Sequence, residues 1–214
     1  MDFEIKDCIQ GSEEWFRQRS GKATASEFSK IITASNGDLS ASRWKYIDEL
    51  IAECFIKEAN ALIPNAWMDR GIELEPEAAE SFSNDTGLDL FEVGFCVNKA
   101  LKIVGCSPDR LIKQGGDFIE GLEIKCPKPS TQVSYLREGI LPKAYKQQVH
   151  GSMAVTGLKR WHFYSYCPGL PALHLVIEAD EYTEKCYQAF EQFIIDYSNE
   201  YKQFTSMIKK QKAS

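Results

Sequence analysis

Long apolar runs are missing from this 214-residue chain. No stretch reaches the ~18 consecutive apolar residues of a membrane-spanning helix, so none is expected. The opening residues MDFEIKDCIQ hold no basic stretch followed by an apolar one, so no secretory leader is expected either, and the reading is cytoplasmic. The seven cysteines include no C-x-x-C pair, and an odd number of scattered thiols fits a reducing compartment. They also lack the grouping that holds an iron–sulphur cluster. The three histidines, His150, His162 and His174, show no zinc-type spacing. No glycine run forms a phosphate loop or dinucleotide fingerprint, and no G-x-S-x-G occurs. Without repeats, low-complexity tracts or linkers, one domain over residues 1–214 is expected, its basic tail 208–214 frayed.

What is present is charge, unevenly placed. The net charge of −6 argues mildly against a nucleic-acid partner. Residues 38–100 hold thirteen acids and five bases, but residues 101–160 hold ten bases and five acids. An acidic protein can bind DNA through one basic face.

Helical periodicity covers SRWKYIDELIAECFIKEA, with Trp44, Ile47, Ile51, Cys54 and Phe55 on one stripe. LEPEAAESFSNDTG reads as a helix stopped by Gly87, PKAYKQQVHGSMAVTG as one stopped by Gly157, and a long helix starts near residue 181. Strands are expected near 89–98, 101–104, 109–113 and 118–125, and in RWHFYSYC and ALHLVIEA around the turn PGLP. TASE reads as a capping box, with Thr24 as N-cap and Glu27 three residues on. The alternation predicts an α/β or α+β layered domain, a mixed central sheet flanked by helices.

The chemistry is concentrated in GCSPDRLIKQGGDFIEGLEIKCP, residues 105–127. Two strands flank a glycine-rich turn. A three-residue loop, Gly115-Gly116-Asp117, pairs Gln114 with Phe118 and so sets Asp109 opposite Glu123. Lys125 then shares their face, and Ile124 points the other way into a core. A two-residue loop shifts the register by one and separates the acids. Two carboxylate groups suit a hard cation such as Mg²⁺ or Mn²⁺, and a lysine beside them can orient or deprotonate a water. The same spacing also fits an exposed ion-pair hairpin, worth roughly 0–1 kcal/mol.

S-P-D, thirteen residues, then E-I-K resembles the PD-(D/E)-x-K nuclease signature. EEWFRQRSGKATASEFSKII, RGIELEPEAAESF, GCSPDRLI, LEIKCP, YKQQVHGSMAVTG and WHFYSYCP follow in the order of the lambda-type phage exonucleases, the YqaJ-like viral recombinases. The resemblance spans roughly residues 11–180. It implies a restriction-endonuclease-like core and a Mg²⁺-dependent 5′-to-3′ exonuclease (Mn²⁺ substituting) on linear duplex DNA. It implies release of mononucleotides, a ring-shaped homotrimer, a single-strand-annealing partner protein and a phage or prophage origin. By position it implies Asp109, Glu123 and the Ile124 backbone carbonyl as metal ligands, and Lys125 as catalytic lysine. It places Glu75 beside the metals and Gln148 near the scissile phosphate. Arg19, Ser26 and Ser107 fall near a terminal 5′-phosphate, with backbone N–H groups at the Thr24 helix start available to the same anion. A desolvated lysine beside cations is expected to have a lowered pKa. His150 is assigned no role. The rival readings are an endonuclease of the same superfamily and a non-catalytic DNA-binding module.

Overall fold

A computed structural model describes residues 2–56 and 66–213. Two mixed sheets organise it. The first has strand order β1 (Phe3–Lys6), β4 (Phe95–Asn98), β5 (Val104–Cys106) and β2 (Ala23–Thr24). The second has order β3 (Leu90–Phe91), β6 (Arg110–Gln114), β7 (Asp117–Lys125), β8 (Arg160–Ser165) and β9 (Leu173–Glu178). Among the described residues only β2/β5 and β7/β8 are parallel pairs. The crossover from β7 to β8 carries two helices, α4 (Pro129–Glu138) and α5 (Lys146–Thr156), as a parallel pair requires. The remaining α-helices among the described residues are α1 (Glu13–Arg19), α2 (Arg43–Phe55), α3 (Ala66–Thr86) and α6 (Glu181–Ala213).

The middle of the five-stranded sheet is buried on both faces. Ile112, Leu122, Ile124 and Tyr164 form one cluster with Ala78, Ala79 and Phe82 of α3. Leu111, Trp161 and Phe163 face the other way, into a larger cluster with Val149 and Met153 of α5 and Phe190 and Phe193 of α6. Burying an aromatic or leucine side chain contributes about 1.5–3 kcal/mol, so the α3 and α5 layers clamp the sheet from opposite sides. Gly121 is required by that packing: a Cβ there would stand 2.4 Å from the Trp161 ring. Gly151 lets α5 approach Phe28, whose ring would lie 2.2 Å from an added Cβ.

The layered α/β reading stands, with several corrections. Trp44 and Phe55 are exposed; α2 instead buries Tyr46, Ile47, Leu50 and Ile51. The expected continuation of α2 past residue 56 lies outside the described residues. The strand expected at 101–104 starts only at Val104, because Asn98 Oδ1 accepts the N–H groups of Ala100 and Leu101 and turns the chain there. Thr24 caps nothing with its side chain; the segment after it is a six-residue 3-10 helix, Ala25–Lys30. The helix expected from Pro142 opens as a 3-10 turn, Lys143–Tyr145, before α5. Helices α1 and α4 and strand β1 were not anticipated. Helix α6 continues through the basic segment to Ala213. No helix among the described residues is long and apolar enough to cross a membrane.

Candidate active site

The site forms where β6 begins and β7 ends. The hairpin between them is tighter than the sequence reading has it. Gln114 pairs with Asp117, so the loop is two residues, Gly115 and Gly116, at φ 61° and 98°. Two successive positive φ angles are the demand of the tight hairpin turn that matches strand twist. Left alone, this register would put Asp109 opposite Leu122. It shifts instead between Lys113↔Phe118 and Ile112↔Glu120, leaving Ile119 as an extra, unpaired residue. This one-residue bulge restores the frame, and Arg110 pairs with Leu122. Asp109 therefore stands at the Glu123 position, as the longer loop predicted but by a different route.

Asp109 Oδ2 accepts the backbone N–H of Ile124 at 2.5 Å. An extended residue directs its N–H and C=O to the same side of the strand, so the Ile124 carbonyl also faces Asp109. Ile124's side chain points into the α3 cluster. Glu123, 2% exposed, faces the α5 layer. Its Oε1 accepts from Lys125 Nζ and, at 2.6 Å, from Gln148 Nε2 of α5. Burial pushes the Asp109 carboxyl well up, and the charge of Glu123 pushes it further. Burial works against the Lys125 charge, but Glu123 and then Asp109 outweigh it and raise its pKa. Among protein groups alone, the lysine is held as an ammonium, opposite in direction to the lowering expected beside cations.

Glu75 reaches the site from α3. Its Oε1 accepts from Arg110 Nη1 at 2.7 Å, and its charge adds to the upward shift of Asp109. Arg110, nearly buried, also meets Glu92 at 3.0 Å. The sequence reading missed Arg110; strand alternation after Asp109 aims it at α3, which is the signal that could have found it.

Two residues before Asp109, Ser107 joins a second cluster. Its Oγ accepts from Arg19 Nη1 at 3.2 Å and from Trp15 Nε1 at 2.9 Å. Arg19 Nη2 donates to Thr24 Oγ1 at 3.1 Å, and its guanidinium lies 4.1 Å from the Trp15 ring centroid. Trp15 and Arg19 are four apart on α1, hence on one face. Burial pushes the Arg19 pKa down, but a guanidinium stays charged. Ser26 is exposed in the 3-10 helix, and no hydrogen bond among the described residues joins it to Arg19 or Ser107. The segment that follows Thr24 is a 3-10 helix rather than the expected α-helix start, and Arg19 and Ser107 meet beside it. His150 faces away, with Nδ1 2.8 Å from Thr183 Oγ1 of α6.

Among the described residues no three His, Cys, Asp or Glu side chains surround one point. Two carboxylates are sufficient for Mg²⁺, which keeps several waters. Glu123, buried, and Asp109, half-buried, with a backbone carbonyl on the same side, form an oxygen-donor set suited to a hard cation.

Solved structures match most of the chain. A crystal structure of an alkaline exonuclease, LHK-Exo, from Laribacter hongkongensis is 30% identical, with TM-score 0.81 over 94% of this chain and 100% of that one. LHK-Exo in complex with dAMP is 31% identical, with TM-score 0.80 over the same shares. A phage related exonuclease from Haemophilus somnus 129PT shares the fold at 16% identity and TM-score 0.61, over 87% of this chain and 96% of that one. No curated protein matches significantly. The YqaJ-like viral recombinase domain matches residues 14–159, and that span contains Arg19, the β6–β7 hairpin and Gln148. The chain belongs to the YqaJ-like viral recombinase family.

Proposed function

We propose that this protein is a Mg²⁺-dependent exonuclease that digests linear duplex DNA from a 5′-phosphorylated end, releases mononucleotides and leaves a 3′ single strand. The observation that carries this reading is the meeting of Asp109, Glu123, Lys125 and Gln148 at one corner, with the Arg19–Ser107 cluster two residues upstream. A relative described as an exonuclease and solved with dAMP, a deoxynucleoside monophosphate, supports nuclease chemistry and that product class.

Asp109, Glu123 and the Ile124 carbonyl would hold the metal, with Glu75 beside it. Bound divalent ions supply charge stabilisation at the phosphate and a more acidic water. Gln148 fixes the Glu123 carboxylate through its 2.6 Å hydrogen bond. Lys125, paired with Glu123, would orient or deprotonate the attacking water, or stabilise charge on the phosphate oxygens. Arg19 and Ser107 present donors to the terminal phosphate, with Ser26 at the rim. A dianionic terminal phosphate binds such a cluster better than an internal monoanion. After each cut the new 5′-phosphate is bound by the same groups, and that makes movement directional. A homotrimeric ring, an annealing partner protein, Mn²⁺ as substitute metal and a phage or prophage setting in the cytoplasm complete the proposal.

The test uses linear duplexes labelled separately at each end type, with Mg²⁺, with chelator, and beside covalently closed circles. Stepwise release from 5′-phosphorylated ends is expected, abolished by chelator and by Lys125→Ala, with closed circles intact. Cutting of closed circles would establish an endonuclease, and binding without cleavage a non-catalytic module.

A further inference from the structure

Lys125 touches more than Glu123. Its Nζ lies 5.0 Å from the ring centroid of Tyr145, within reach of a cation–π attraction. Tyr145 precedes α5 and stands three residues before Gln148, so one short segment meets both Lys125 and Glu123. The ring is itself held. It lies tilted against Phe163 of β8, centroids 5.3 Å apart, and meets Tyr135 of α4 edge-on at 6.5 Å. Its backbone N–H donates to Pro142 at 2.9 Å. Phe163 is the neighbour of Glu123 across β7 and β8, so the wall under Lys125 is built on the strand beside the site.

An ammonium on a four-carbon stem has three donors and many rotamers. Glu123 takes one donor, but Glu123 is also a proposed metal ligand, and a carboxylate shared with a dication holds its lysine less firmly. The aromatic ring of Tyr145 is not a proposed metal ligand, so its hold on the ammonium does not compete with a dication. We propose that Tyr145 is the positioning residue for Lys125: its ring holds the ammonium in place and leaves the remaining donors directed at the reacting phosphate. The inference rests on the nuclease reading only for its consequence, not for the contact itself.

Two measurements test it. In metal-free protein, the Lys125 ε-methylene signals, assigned with Lys125→Arg, should show an upfield ring-current shift. The shift should persist in Tyr145→Phe and vanish in Tyr145→Leu. On linear duplex DNA, Tyr145→Leu should lower kcat about fivefold to thirtyfold with KM within about twofold, and Tyr145→Phe should restore most of the rate. Should the leucine variant not fold, fluorinated phenylalanines at position 145 keep the shape while draining the ring's negative face. The rate should then fall with each added fluorine. An unshifted lysine in the wild type, or a rate indifferent to fluorination, overturns the assignment of Tyr145. Absence of any DNA cleavage with the ring-current shift intact would count against the nuclease reading and leave the contact established.

Discussion

The carboxyl of Asp109 is clamped to the strand that carries Glu123 and Lys125, because its Oδ2 accepts the N–H of Ile124 at 2.5 Å. One oxygen of Asp109 is thereby tied to the backbone, and the other is the one proposed to serve a cation. That division separates what Asp109 does for the hairpin from what it is proposed to do for a cation.

Asp109→Asn should separate the two roles. The amide oxygen can still accept from Ile124, so the fold should hold, but the negative charge is lost. Mutation of residues behind metal ligands typically costs about 10–100-fold in metal affinity, so loss of a direct ligand should exceed about 100-fold in both Mg²⁺ affinity and cleavage rate. Calorimetric titration with Mg²⁺ and an end-digestion assay check it. Undiminished metal binding would remove Asp109 from the site.

Arg19 should govern the preference for phosphorylated ends. Charged hydrogen bonds contribute about 1.5–3 kcal/mol, so Arg19→Ala should slow digestion of 5′-phosphorylated duplexes by about 10- to 150-fold and leave 5′-hydroxyl ends nearly unaffected. Arg19→Lys should recover little, because one ammonium cannot reproduce the fork that spans Ser107 and Thr24. Matched duplexes differing only in that phosphate give the answer, and an unchanged preference in the alanine variant would place the anchor elsewhere.

The bulge makes an unusual deletion tolerable. Removing Ile119 leaves Ile112↔Glu120 and everything beyond it in register, so the site should survive. The cost is the apolar contact of a partly buried side chain, about 1–2 kcal/mol. Removing Gly121 instead lies between bulge and site and should invert Glu123, abolishing cleavage. Thermal melts and digestion rates of both deletions decide the matter; equal loss of activity in the two would contradict the register argument.

Acid stability should depend on His150. Burial lowers its pKa below the ordinary 6.5, with Lys146 adding to the fall and Asp180 opposing it. The folded state therefore binds fewer protons than the unfolded chain as pH drops through 6.5. The stability contributed by the neutral ring is fully present above that pH and is lost below it, by at most about 1.4 kcal/mol per pH unit. Denaturant midpoints between pH 7.5 and 5 should fall less steeply in His150→Gln than in the wild type. Parallel curves would show that His150 does not titrate differently on folding.

Much was decided by sequence alone. Alternation in RLIKQ and DFIEGLEIK determines which residues share a face, and SPD and EIK lie within one hairpin's reach, so Asp109, Glu123 and Lys125 were legible as a group. Local chemistry also marked the ends of α3 and α5, because Gly87 and Gly157 adopt positive φ there. What sequence could not decide was how the register is kept. A two-residue turn plus a bulge and a three-residue turn give the same pairing at the site, and only the ladder distinguishes them. Contacts between distant segments were equally hidden. Gln148 on Glu123, Arg110 on Glu75, Trp15 on Ser107 and Tyr145 under Lys125 join residues from different elements. Such meetings depend on how α1, α3 and α5 settle on the two sheets. That settling follows from the burial of Phe82, Trp161, Phe163 and Phe190 together, which no single stretch of sequence encodes.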